Sequence, residues 1–222
     1  MIKMLAALAC VPALSLSALA SAQVALYPSG PDQDAAFIRF VNATTAPLDV
    51  LGQAGQPPLR LEVAQPASLL FAVDSTSPVK GSLVSGAHTL ALDLKVEPGE
   101  FTTIVVVSQE AGIEQVAVRE TPDDFNGLKA SLAFVNVDKS CSDASLRPAG
   151  RSADLFKAVP VASLQRRSIN PVNLSVQLVC ANANVGAPLD LGMLKAGERY
   201  SVLLVPSATG PRLLSATDTL SH

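Results

Sequence analysis

An internal repeat constrains the fold of this chain more than any other feature of its sequence. PGEFTTIVVVSQEAG, from Pro98 to Gly112, is matched by AGERYSVLLVPSATG, from Ala196 to Gly210, at a constant offset of 98 residues. Each stretch has a Gly-Glu pair, then an apolar run, then a closing glycine. The first run, Phe101 to Ser108, is nearly all apolar, which predicts a central strand followed by a turn. None of the shared residues is a nucleophile, a base or a ligand, so the repeat predicts one scaffold that occurs twice.

A second pair of matching segments supports this duplication. FIRFVN, from Phe37 to Asn42, and SLAFVN, from Ser131 to Asn136, lie 94 residues apart. Both end in asparagine, whose side chain bonds nearby backbone groups in turns. The segments between the repeated strands do not match. The chain is rich in Val, Leu and Ala and is punctuated by 16 Pro and 13 Gly, which favours β structure.

We therefore predict an all-β protein with two tandem β-sandwich domains, residues 23–122 and 123–222, after a signal peptide at residues 1–22. About seven short strands per half, separated by turn signals, are typical of sandwiches. The polar break Thr121-Pro122-Asp123-Asp124 sets the predicted boundary. A single strand-rich barrel is the alternative fold.

The first residues have the features of a cleaved secretory signal. Lys3 precedes an apolar run from Met4 to Ala20, and Ala20-Ser21-Ala22 supplies small residues for cleavage. No later stretch is apolar for long enough to span a bilayer. We therefore expect an exported, soluble protein that is not inserted in a membrane after cleavage.

Two cysteines, Cys141 and Cys180, remain after the predicted cleavage. Because an exported chain enters an oxidising compartment, we predict a disulfide between them. In the chain-entropy treatment, a disulfide that closes the loop between these two cysteines contributes about 4 kcal/mol of stabilisation. Zinc binding is disfavoured, since a structural zinc needs four nitrogen or sulfur ligands.

The sequence offers few groups for chemistry. The net charge is −3, with no basic patch that would indicate nucleic-acid binding. A Ser-His-Asp site would have to use His88, but strand alternation places Asp93 on the opposite face. The repeated acids Glu100 and Glu198 each follow a turn glycine, which predicts exposed positions at strand starts. No metal-ligand cluster, phosphate loop or dinucleotide motif occurs, so we predict no catalytic, cofactor-binding or metal-binding residue.

Basic residues supply the candidate contact positions. Arg166 and Arg167 precede Ser168-Ile169-Asn170-Pro171 in a predicted loop, which can bind an acidic polymer or the carboxylates of a partner. A solvated loop is the alternative interpretation. Arg39 alternates with Ile38 and Phe40 and is expected on the outer face of its strand, as a contact or as a solubilising charge.

Three segments resemble the AlgF family of alginate O-acetylation proteins, in order and in approximate position. They are ALYPSG (Ala25 to Gly30), AAFIRFVNA (Ala35 to Ala43) and INPVNLSVQL (Ile169 to Leu178). The sequence departs from the family in two respects: the Cys141/Cys180 pair is not a family feature, and Ser140 to Leu164 has no match.

The resemblance implies a two-domain β protein of the periplasm. Such proteins act with a membrane-bound O-acyltransferase and a periplasmic SGNH-type acetyltransferase, which place acetyl groups on an exported polysaccharide. The polymer is alginate, with cellulose as the alternative. The family has no known catalytic site, so the implied role is that of a non-catalytic accessory protein, not an enzyme and without a cofactor. Six residues are candidate contacts for a partner or the polymer: Leu26, Tyr27, Arg39, Arg166, Arg167 and Asn170.

Two other functions stay open on the sequence. A sandwich can bind an anionic polysaccharide directly, although sugar-binding faces use exposed aromatic residues and this chain has no Trp and only two Tyr. An acetyltransferase is the third hypothesis, and it would depend on His88.

Overall fold

The computed structural model describes residues 34–52, 57–121 and 126–221, which form strands and turns. Within these ranges there is no α-helix, and therefore no helix that could cross a membrane. The all-β prediction is therefore confirmed. The predicted signal peptide and the contact candidates Leu26 and Tyr27 lie outside the described residues, as do Asp123 and Asp124, so the predicted domain boundary stays a prediction.

The first eight strands form two four-stranded sheets. The first inner sheet has the order β4-β1-β7-β8 and the first outer sheet has the order β3-β2-β5-β6. β1 and β7 run parallel, whereas the other paired neighbours are antiparallel. The strands are β1 (Ala35–Ala43), β2 (Leu48–Leu51), β3 (Leu59–Leu61), β4 (Phe71–Asp74), β5 (Val79–Ser85), β6 (His88–Leu94), β7 (Phe101–Gln109) and β8 (Gly112–Glu120).

The next eight strands repeat this arrangement. The second inner sheet has the order β12-β9-β15-β16, again with a parallel central pair, and the second outer sheet has the order β11-β10-β13-β14. Each strand corresponds to the one eight places earlier, so the duplication extends to the middle strands whose sequences do not match. The strands are β9 (Ala130–Asn136), β10 (Asp143–Pro148), β11 (Phe156–Pro160), β12 (Ser163–Ile169), β13 (Val172–Cys180), β14 (Ala183–Leu194), β15 (Arg199–Val205) and β16 (Arg212–Thr217).

Three apolar cores separate the four sheets. One lies inside the first sandwich and includes Leu48, Leu83 and Ile104, and one lies inside the second and includes Phe134 and Leu178. The third core joins the two inner sheets, with members from β1, β7, β8, β9 and β15. Its fully or almost fully buried residues are Val41, Ala43, Val105, Val107, Val118, Val135, Val137, Leu203 and Val205.

This layering explains the apolar repeat. β7 and β15 lie at the centre of the inner sheets, so one face of each strand contacts its own sandwich core and the other contacts the core between the sandwiches. A strand that is buried on both faces needs apolar residues in succession instead of in alternation. The glycines that precede the two strands, Gly99 and Gly197, have φ values of 75° and 79°, a conformation that side chains disfavour. The prediction of central strands here is confirmed.

The two repeated asparagines have a larger role than closing a turn. Asn42 and Asn136 are both fully buried. Asn42 Oδ1 accepts a bond from the Thr44 amide at 2.9 Å, and its Nδ2 donates to the Leu61 carbonyl of β3 at 3.1 Å. Each asparagine thus joins its inner sheet to an edge strand of the outer sheet.

Asn136 repeats these bonds in the second half. Its Oδ1 accepts from the Asp138 amide at 3.0 Å, and its Nδ2 donates to the carbonyls of Cys141 at 2.8 Å and Val159 of β11 at 2.9 Å. A buried amide with this many bonds is costly to remove, because its partners would remain unpaired in the interior.

Several predicted strands agree with the structure, and others were missed. The strands predicted from the apolar repeat are present as β7 and β15, and β13 follows the same pattern of burial, with Leu174 facing the core. Among the described residues, each half has eight strands instead of about seven. No clear sequence signal marks β2, β5, β10, β11, β12 or β14. β14 contains Gly186, Pro188 and Gly192, which are unfavourable in a regular strand.

The predicted disulfide is present. Cys141, which follows β9, is bonded to Cys180 at the end of β13, with the two Cα atoms 5.5 Å apart. It ties the connection between β9 and β10 to β13 of the second outer sheet, next to the bonds of Asn136.

Replacing both Cys141 and Cys180 by alanine should lower the free energy of unfolding by about 3–4 kcal/mol, because the bridge closes a 39-residue loop. Urea unfolding of the mature chain measures the change. Reducing agent should lower the midpoint of the wild type but not that of the double variant. An unchanged midpoint after complete reduction would show that the bridge does not stabilise the fold.

Candidate functional site

Five charged side chains from both halves meet between the inner sheets. We call this group, Arg39, Glu120, Arg166, Arg199 and Asp218, the interface cluster. Asp218 follows β16 directly, where its amide donates to the carbonyl of Arg199 at 2.9 Å. The chain then crosses onto the first half, because the Leu70 amide donates to the Thr219 carbonyl at 2.9 Å and the Ser221 amide to the Leu70 carbonyl at 2.7 Å.

Asp218 is the centre of the cluster. Its Oδ1 accepts from Arg39 Nη1 at 2.7 Å and from Ser201 Oγ at 2.7 Å, and its Oδ2 accepts from Arg166 Nη2 at 2.8 Å. The side chains of Arg39 and Asp218 are each only 4 % exposed. Arg39 Nη2 also donates to Thr103 of β7 at 3.0 Å. One carboxylate thus bonds arginines from β1 and β12, one in each half.

Glu120, at the end of β8, makes the second set of bonds across the halves. Its carboxylate accepts from both Nε and Nη2 of Arg166, the latter at 3.0 Å, which is a two-pronged pairing. Arg199 Nη2 lies 3.5 Å from the same carboxylate. The Arg199 guanidinium also sits over the ring of Phe101 in the first half, 5.4 Å from its centroid.

The pKa shifts follow from burial and pairing. Burial favours protonation of Asp218, but the charges of Arg39 and Arg166 and the Ser201 hydroxyl outweigh burial, so its pKa lies below the ordinary value. Burial disfavours the charge on Arg166, but Glu120 and Asp218 outweigh it and raise its pKa. Burial, followed by the charge of Arg166, lowers the pKa of Arg199. Asp218 and Arg166 therefore stay ionised at neutral pH.

The interface cluster holds the halves together and is closed to ligands. The cavity beside it has a volume of only about 10 Å³, enough for about one water molecule. The carboxylates of Glu120 and Asp218 already accept hydrogen bonds from arginines, so their lone pairs are engaged by the protein itself.

Two predicted contact residues are in this interior, which corrects the sequence-based expectation. Arg39 is 3 % exposed and not on an outer face, because the second inner sheet covers β1. Arg166 is not in a loop: it lies in β12, paired with Ala133, and its side chain points to Glu120. The sequence could not show either position, since both depend on how the halves pack.

The other described candidates are on the surface. Arg167 is exposed on β12 and donates from Nη1 to the carbonyl of Leu155 at 2.6 Å. Asn170 is exposed directly after the end of β12. Their role in contacting a partner or a polymer stays a prediction.

The repeated acids have different surroundings. Glu198 is exposed as predicted, whereas Glu100 is 5 % exposed, so the prediction of a surface position is wrong for Glu100. Its carboxylate accepts from the Glu97 amide at 2.8 Å, from Thr102 Oγ1 at 2.7 Å and from Arg119 Nη1 at 2.8 Å. Burial alone would raise the pKa of Glu100, but these bonds and the charge of Arg119 outweigh burial. The pKa of Glu100 therefore lies below its ordinary value.

His88 starts β6 at an exposed position. As predicted, Asp93 lies on the face opposite to His88; it points outward and pairs with Lys80 at 3.8 Å, while Leu92 and Leu94 point to the core. In the described part of the chain, no group of three or more His, Cys, Asp or Glu side chains is placed to hold a metal ion.

A further surface feature was not predicted: the second sandwich is open along the seam between its edge strands β14 and β16. One cavity of about 170 Å³ is lined by residues that include Val185, Leu189 and Leu213. Another of about 130 Å³ is lined by residues that include Leu191 and Thr217. We call this pair of cavities the β14–β16 seam.

Comparison with known proteins identifies one family, and some solved structures are distantly similar. The model of the family described as alginate O-acetyl transferase AlgF matches residues 7–201. The C-terminal domain of AlgF from P. aeruginosa is similar at 25 % sequence identity and a TM-score of 0.34, covering 40 % of this chain and 98 % of that domain. The Bacillus anthracis TIE protein is similar at 10 % identity and a TM-score of 0.26, covering 77 % of this chain and 34 % of that one. Among curated proteins there is no match.

Replacing Asp218 by asparagine should destabilise the protein by about 3–5 kcal/mol, because Arg39 would be left buried without its counter-charge and Arg166 would keep only Glu120. Chemical unfolding of both proteins measures the difference. Asp93→Asn is the matched control, since its partner Lys80 is exposed and the expected change is within about 0.5 kcal/mol.

The same pair of proteins should differ in pH dependence. The folded pKa of Asp218 is depressed, so its contribution is complete above about pH 4 and is lost as the pH falls through the folded pKa. The stability gap between wild type and Asp218→Asn should therefore shrink in acid. A gap that is absent at neutral pH would contradict the role of the cluster.

Proposed function

Because the chain belongs to the AlgF family, and so takes part in alginate acetylation, we propose that it is a non-catalytic accessory protein of this process in the periplasm. Its proposed partners are a membrane-bound O-acyltransferase and an SGNH-type acetyltransferase. In this role the protein binds these enzymes and does not itself transfer acetyl groups. The family description favours alginate over cellulose as the polymer.

The observation that carries this proposal is the joining of two differently charged halves into one compact unit. Residues 34–121 contain five Lys and Arg and ten Asp and Glu. Residues 126–221 contain ten Lys and Arg and six Asp and Glu. The core between the inner sheets and the interface cluster hold these halves together. Such a unit combines an acid-rich half and a base-rich half in one fixed arrangement, which suits binding to two different partners.

The engagement of the acid and base candidates supports a non-catalytic role. Glu100 is bonded to Arg119 and Thr102, and Glu120 and Asp218 are bonded to arginines. His88 and Asp93 project from opposite faces of β6. The disulfide supports the periplasmic location, since such bonds persist in oxidising compartments.

The excess of basic residues in the second half favours one alternative function, direct binding of the anionic polysaccharide. Arg151, Lys157 and Arg167 are exposed there. Calorimetry separates the two functions. The accessory role predicts binding to the SGNH-type acetyltransferase with at most weak binding of alginate oligomers, whereas tight binding of the oligomers alone would favour the alternative.

Deleting the gene should leave alginate that is made and exported but lacks acetyl esters, as measured by the ester content of the purified polymer. Plasmid copies of the wild type and of His88→Ala should both restore acetylation, because His88 has no catalytic role in this proposal. Thr89→Ala, at the neighbouring exposed position, is the control. Normal ester content in the deletion strain would refute the accessory role, and failure of a folded His88→Ala protein would refute the non-catalytic one.

A further inference from the structure

The β14–β16 seam is open because of irregularities in β14. This strand has 12 residues, against 7 in the corresponding β6. Its pairing with β13 shifts register twice, once between Asn173 and Ser175 and once between Val176 and Leu178, whereas β6 pairs with β5 without a shift. Bulges bend a strand away from its regular path. The segment Val185–Leu189, which contains the second of these shifts, forms one wall of the larger cavity.

In the first half, an arginine crosses the corresponding end of the seam. Thr102 pairs with Arg119 there, as Tyr200 pairs with Thr217 in the second half. Arg119 donates to the Glu100 carboxylate and, from Nη2, to the carbonyl of Lys95 at 2.8 Å, so its side chain reaches β6 from β8. Thr217 is too short for this, and it lines the smaller cavity.

The two cavities match the spacing of side chains on a strand. The larger one is lined by Pro211–Leu213 and the smaller one by Ser215–Thr217, so their centres on β16 lie four residues apart. At about 3.3 Å per residue this is about 13 Å. Positions i and i+4 of an added strand have this spacing and point to the same side.

The backbone of β16 is available for such a strand. β16 is the outermost strand of the second inner sheet, with β15 on one side and no strand on the other among the described residues. An edge strand has unpaired N–H and C=O groups, and extended peptides bind to such edges by adding a strand.

We propose that β16 binds an extended, acidic segment of a partner protein as an added strand, with apolar side chains at i and i+4 in the two cavities. This rests on the proposed accessory role, because it is the way in which the protein would hold a partner. The cavity volumes suit single side chains: a cavity of about 150 Å³ holds a benzene-sized group, and small-molecule pockets start at about 300 Å³.

Charge indicates the kind of segment. Arg212 lines the larger cavity, and its Nε is buried without an acceptor among the described residues. The surrounding half also has an excess of basic residues. A carboxylate on the added strand would supply the missing acceptor and complement this charge.

A second copy of the chain fits the seam less well than a peptide does. In an edge-to-edge pair, the β16 of the other copy would direct Leu213 and Ser215 to its own core, as it does in this copy. These side chains could not then fill the cavities, whereas a free peptide has no core of its own.

Synthetic peptides test the proposal on the full mature chain. The probe is a labelled nine-residue peptide of Thr, Ser and Glu with leucine at its third and seventh positions. The control peptide has leucine at its third and sixth positions, which places the second leucine on the opposite face of a strand. Fluorescence anisotropy should show at least about tenfold tighter binding of the first peptide, with NMR shifts in the amides of β16.

Thr217→Arg reproduces the arginine of the first half and should weaken binding of the first peptide at least about tenfold. Thr209→Arg, on the exposed turn between β15 and β16, is the matched control and should bind as the wild type does. Equal binding of the two peptides by the wild type would overturn the proposal even if Thr217→Arg failed to fold. The proposal would also be overturned if the wild type formed a dimer that Thr217→Arg dissociates, or if alginate oligomers displaced the peptide.

Acetylation in cells separates this proposal from the proposed function. If folded Thr217→Arg restores normal ester content in the deletion strain, the seam is not the docking site, while the accessory role stands. If the deletion strain itself keeps its acetyl esters, the accessory role fails whatever the peptides do.

Discussion

The structure depends on the burial of both inner sheets against each other. A carboxylate and two arginines in this interface would be unfavourable if any member were unpaired, because removing ions from water costs several kcal/mol each. Asp218 meets this requirement by bonding Arg39 from one half and Arg166 from the other. The valine-rich core supplies the apolar contact, while the charges fix how one sandwich is placed on the other.

This interface also explains how the two copies of one scaffold have diverged. The repeated strands, glycines and asparagines are kept because they build each sandwich. Within the repeated strands, two differences lie at positions that face the other half or the seam: Arg39 corresponds to Ala133, and Arg119 corresponds to Thr217. The first half has a seam crossed by an arginine, and the second has an open one, so the two halves offer different surfaces for binding.

Much of each sandwich was predictable from the sequence, because local patterns report on local surroundings. The apolar runs gave the central strands, alternation placed Leu92 and Asp93 on opposite faces, and the export signal made the Cys141–Cys180 bond the expected state. The packing of the halves was not predictable, since alternation indicates that Arg39 faces away from its own core but not what lies beyond. The strand at Arg166 was missed for the same reason, because β12 is defined by its pairing with β9, which is distant in sequence.

Native-state hydrogen exchange on the full mature chain tests most directly whether the interface makes the two sandwiches one unit. If it does, the slowest amides of β1 and β7 and those of β9 and β15 will exchange with the same opening free energy, and Asp218→Asn will lower both sets together. Two separate opening free energies, one for each half, with only one lowered by Asp218→Asn, would contradict the account.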